Sequence, residues 1–136
     1  MVGSLILSIA SWTLFMEMNS SQDKIWSNSN ISKLNKDRLH NLDAIGVFFL
    51  GITIAFLYNG FSVESSLLAL FFLFSRSGYF SWRMNMKRIK DGVNIKWNHL
   101  GDGRWDRTFK GNETLYFILC FSGMIATIFL LTLEFI

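Results

Sequence analysis

The sequence predicts an all-α integral membrane protein, a single domain of four transmembrane helices with an interfacial amphipathic segment between the first two. Three observations predict it. Hydrophobic residues make up 51% of the 136 residues, 14 of them Phe, a lipid-solvent composition. Proline is absent, so nothing signals a kinked helix or an extended linker. Charge is confined to a few stretches, between which lie four long apolar runs.

A hydrocarbon core of about 30 Å takes about 20 residues of helix at about 1.5 Å per residue. Residues 44–63 and 114–133 each supply 20 residues without a formal charge. Residues 1–17 give a shorter first span: its uncharged part, 1–16, covers only about 24 Å, so it must thin the bilayer or draw on its flanks. No Lys or Arg precedes that run and no A-x-A site follows it, so it reads as a retained anchor rather than a signal peptide. Residues 65–82 form a span interrupted by one charge, Arg76. Asn59, Gly60 and Ser62 supply turn and capping chemistry between the second and third spans, which predicts a tight helical hairpin.

Four crossings put segments 18–43 and 83–113 on one side. The first holds Lys24, Lys33, Lys36 and Arg38; the second holds Arg83, Lys87, Arg88, Lys90, Lys96, Arg104, Arg107 and Lys110. Of the 13 basic residues only Arg76 lies elsewhere, and the opposite side carries acids alone, Glu64 and Glu134. The positive-inside bias makes both charged loops cytoplasmic and puts the termini opposite, as in a bacterial inner membrane or an internal virion membrane. Within segment 18–43, Ile31, Leu34, Leu39 and Leu42 form a helical stripe that either lies on the membrane surface or connects the spans without a partner.

Arg76 is the intramembrane charge. Two readings stand: the side chain bends toward the headgroups, with Arg83 one further charge along the helix, or it meets a partner or an aqueous path inside the bundle. No acid falls in the middle of another apolar run, which weighs against a proton relay. For helix packing, Gly51 with Ala55 and Ser122 with Ala126 have the four-residue spacing of small residues that permits close approach. Cys120, alone of its kind, reads as a small packing residue. The sequons at Asn19, Asn30 and Asn112 fall in segments assigned to the cytoplasm.

The segment after Trp82 mixes Arg83, Lys87, Arg88, Lys90, Arg104 and Arg107 with Trp97 and Trp105. Interleaved cations and aromatics suit anionic headgroups or a partner subunit, and they also occur where single-stranded nucleic acid stacks. Their position beside apolar spans favours the lipid bilayer and other membrane or capsid-type subunits, and nucleic acid is not the expected partner. His99, Asp102 and Asp106 match no ligand spacing, and neither His40 nor His99 lies in a span, so neither a metal nor haem is expected. There is no phosphate loop, nucleophile elbow or paired catalytic acid, which leaves a non-enzymatic reading. The competing functions are an oligomeric, holin-like pore built around Arg76 and a lipid-modifying enzyme using His40 or His99.

From Lys96 to Arg107 the string KWNHLGDGRWDR, followed by an aromatic-rich span, resembles a pattern in short uncharacterised membrane proteins of bacterial phages and mobile elements. There it runs Trp-Asn-Tyr-Ile-Gly and, a few residues on, Trp-Asp; here His99 and Leu100 replace the Tyr and Ile. The resemblance covers about the last third of the chain. It implies a phage or prophage setting and brings no activity or catalytic residue with it.

Overall fold

The computed structural model describes residues 2–28, 33–100 and 107–133, with 2–4, 24–28, 33–41, 44, 58 and 59 as backbone alone. Its elements are α1 (Val2–Asn28), α2 (Lys33–Asn59), α3 (Val63–Phe74), a π-helical segment (Ser75–Tyr79), α4 (Phe80–Lys90) and α5 (Glu113–Leu133). The α3, π and α4 segments follow one another without a break, so the protein is all-helical, with four rods and no strand among the described residues.

The termini of these rods follow local chemistry. Gly60, at φ +58°, turns the chain after α2, a conformation that costs glycine little, and its N–H closes onto the Phe56 carbonyl at 2.8 Å. The Ser62 hydroxyl then accepts from the Ser65 N–H at 3.1 Å and caps α3. At the far end of the rod, Gly92 N–H bonds to Ile89 O and Val93 N–H to Arg88 O, both at 3.0 Å, with Gly92 at φ +83°. That is a Schellman closure, and it stops α4.

Two expectations need correction. Segments 18–43 and 83–113 are not loops throughout: α1 runs on to Asn28, α2 begins at Lys33, and α4 carries the third rod to Lys90. Apolar periodicity ends near Met16 and Phe74, but nothing in the following residues breaks a helix, and there is no proline to do so. Second, among the described residues one helix, Glu113–Leu133, is long and apolar enough by itself to cross a membrane; the apolar part of α2 is the shorter Ile45–Leu57. The amphipathic stripe falls partly outside the described residues, at Ile31, while Lys33 to Leu42 belongs to α2 itself.

Packing is tight where helices cross. Trp12 of α1 stacks on Phe72 of α3 at 4.5 Å between ring centroids, with Met16, Leu68 and Phe80 buried around them. Gly51 of α2 faces that ring so closely that a Cβ would come within 3.0 Å of it, and Ala55, one turn on, is buried. On α5 the close approaches are made by Cys120, against Gly78, and by Gly123, against the Phe74 ring. Ser122 and Ala126 face outward, so the small-residue contact on α5 lies on an adjacent face of the helix from the pair read in the sequence.

Outward-facing apolar residues occur on every rod: Leu7 and Leu14 on α1, Phe49 and Leu57 on α2, Leu70 and Leu73 on α3, Ile125 and Phe129 on α5.

Candidate functional site

Asn19, Ser20, Asp23 and Ser75, four of the buried polar residues, lie on one line where α1, α2 and the third rod meet. On α1, Trp12, Met16, Asn19 and Asp23 are spaced three or four apart, with Ser20 four after Met16, which puts them on one face, and all five are buried. On the third rod, Arg76, Tyr79, Arg83 and Lys87 share the matching face at the same spacing. The π segment sets the upper register: its wider turn is completed by the Phe80 N–H bonded to Ser75 O.

The contacts descend in order. Trp12 Nε1 donates to Ser75 Oγ at 2.6 Å, and Ser75 Oγ donates to Phe72 O at 3.0 Å, so both buried groups are satisfied. Arg76 donates from one terminal nitrogen to Asp43 Oδ2 at 3.0 Å, while Asn19 Nδ2 donates to Asp43 Oδ1 at 3.1 Å. One carboxylate thereby ties α1, α2 and the third rod together. The Arg76 guanidinium also lies over the Phe80 ring, 3.6 Å from its centroid. Below it, Glu17 accepts from Tyr79 OH at 2.7 Å and from Arg83 Nε and Nη2 at 2.5 and 3.0 Å, a bidentate clasp. Lys87 Nζ completes the line among Glu17 O, Ser20 Oγ, Ser21 Oγ and Glu17 Oε2, all within 3.0 Å. The Glu17 hydrogen bond raises the Arg83 pKa above its ordinary value, so this guanidinium stays charged.

Charges of opposite sign are thus paired inside the bundle, yet the pairing is incomplete. Asn19 Oδ1 and Arg76 Nε, buried on either side of Asp43, accept and donate no hydrogen bond among the described residues. Buried ion pairs usually return little stability once desolvation is counted, so such a seam fixes register more than it adds stability.

A second polar contact organises the segment after α4. Asn85 is fully buried, and its Nδ2 donates to Trp97 O at 2.9 Å and His99 O at 2.7 Å. His99 is exposed and is engaged here through its backbone, its carbonyl accepting from Asn85 and its N–H donating to Lys96 O at 3.1 Å.

The residues singled out in the sequence divide accordingly. Arg76 is half-buried and paired rather than extended toward the surface. Arg83 and Lys87, expected to contact lipid or a partner, are engaged with Glu17. Arg88 is half-buried, whereas Lys90, Trp97 and Arg107 are exposed. Arg104 and Trp105 lie outside the described residues. Sequence reasoning gave Glu17, Asp43 and Asn85 no role and read Asn19 only as a sequon. The signal available for Glu17 was the four-residue spacing of Arg83 and Lys87, a cationic face that calls for an acid opposite. Compared with protein-family models, with curated proteins and with solved structures, the chain matches none.

Proposed function

We propose that this chain is a small non-enzymatic membrane component, four helical rods crossing a bilayer, which docks anionic headgroups or a larger assembly through its basic aromatic end. The observation that supports it is the inversion of polarity: Glu17, Asp43, Arg76 and Lys87 turn inward, while large apolar side chains on every rod turn outward. Water-exposed monomers rarely show so much outward apolar surface, whereas hydrocarbon accepts it and penalises charge. At the basic end, Lys90, Lys96, Trp97 and Arg107 are exposed and available for contact. The resemblance at Lys96–Arg107 suggests a virion membrane or a host inner membrane as the setting.

The experiment is lipid retention. Purified in mild detergent from membranes containing phosphatidylglycerol and phosphatidylethanolamine, the wild-type chain should retain phosphatidylglycerol selectively. Replacing Lys90, Lys96 and Arg107 with Gln should reduce that selectivity about tenfold or more, given about 1 kcal/mol per cation near an anionic surface. Equal retention by wild type and variant would contradict headgroup docking. The pore alternative gains nothing specific from the geometry, since Arg76 is closed onto Asp43 and Phe80.

A further inference from the structure

We propose that α1 is a conditional span, held across the membrane by the capture of Glu17 by Arg83 and Lys87 rather than by its own hydrophobicity. The proposal rests on the reading that the bundle sits in a bilayer. Among the described residues α5 is long and apolar enough by itself to cross a membrane, and α1 is not. The apolar run of α1 is short and includes Ser4, Ser8, Ser11 and Thr13, which dilute its transfer free energy.

The contacts that attach α1 to the third rod differ in kind from those of α5. α5 docks mainly through apolar contact, Cys120 at Gly78 and Gly123 at Phe74, with Tyr116 OH on Ser77 O as a polar addition. α1 is held at two levels. Trp12 engages Ser75 and Phe72 within the apolar run, and just past its end Tyr79, Arg83 and Lys87 converge on Glu17. The lower level holds the end of the run where the span must stop. Without an acid at 17, Arg83 and Lys87 would lose the half-buried carboxylate they share, and α1 would lose its charged attachment to the third rod.

The general charge bias and this lock make opposite predictions for one substitution. Glu17→Arg adds a cation on the basic side, which by the positive-inside bias should strengthen the crossing of α1. By the lock it should weaken the crossing, through repulsion from Arg83 and Lys87.

The test reads the side of the membrane on which the amino terminus lies. In the full-length chain carrying Cys120→Ala, Ser4→Cys is labelled with a membrane-impermeant maleimide in oriented vesicles. Wild type at 17 should label from the side opposite the basic segments. Glu17→Arg, and separately Arg83→Ala with Lys87→Ala, should raise labelling from the basic side about tenfold, a magnitude reduced for the partial exposure of the pair. Glu17→Arg combined with Arg83→Glu should restore the wild-type pattern. Unchanged labelling in Glu17→Arg would overturn the lock while leaving the membrane reading intact. A shift that Arg83→Glu fails to reverse would overturn it as well, since the effect would then belong to residue 17 alone. Release of the wild-type chain by an alkaline wash would overturn the membrane reading itself, and the lock with it.

Discussion

At the scale of single residues, Asp43 is the side chain on which most depends, since its two oxygens bind different helices. Asp43→Asn leaves an acceptor for Asn19 but strips Arg76 of its counter-charge, and it should destabilise the bundle by about 3 kcal/mol, the usual cost of orphaning a buried ion. Adding Arg76→Gln should recover most of that loss, because a neutral pair needs no counter-ion; a double-mutant cycle in denaturant-titrated detergent measures the coupling. Additive losses would mean that the two side chains do not interact. Gly78 makes a different prediction. A Cβ there would stand 2.5 Å from the Cys120 Cβ, so Gly78→Ala should cost about 1–3 kcal/mol through overpacking. Cys120→Gly in the same chain should relieve it, read as a return of the thermal unfolding midpoint toward wild type.

At the scale of elements, the helices themselves were legible and their extents were not. Apolar runs located the rods, and Gly60 with Ser62 located the hairpin. The ends of α1 and α4 were missed because hydropathy falls at Glu17 and Arg83 while the backbone, free of proline, stays helical. The π turn at Ser75–Tyr79 left no sequence signal, since its wider register is imposed by Trp12, Gly78 and α5 packing around it. The polar seam was half legible: its cations were singled out, but Glu17 and Asp43 were given no role, so their pairing was not. The segment after α4 depends on Asn85. Asn85→Leu removes both donors to Trp97 O and His99 O, and hydrogen exchange at the Ile95 and His99 amides should then quicken about tenfold. Unchanged exchange there would mean that the segment is held by contacts other than Asn85.

At the scale of the whole molecule, one physical pattern organises the rest: a bundle with charge inside and large apolar side chains outside. In water this would be unstable against aggregation; in hydrocarbon it is the arrangement with the lower desolvation cost. Among the described residues only α5 reaches by itself the length and hydropathy of a candidate span; on the proposed reading, the crossing of the other rods would depend on each other's side chains, through Asp43 and Glu17 above all. The direct measurement is the environment of one outward residue on each rod. Spin labels at Leu7→Cys, Phe49→Cys, Leu70→Cys and Ile125→Cys, introduced singly with Cys120→Ala into the reconstituted chain, report collision with oxygen and with a water-soluble nickel chelate. Membrane crossing by all four rods predicts high oxygen and low nickel accessibility at every position; a lipid signature at Ile125 alone, with water-like accessibility at the other three, would contradict it.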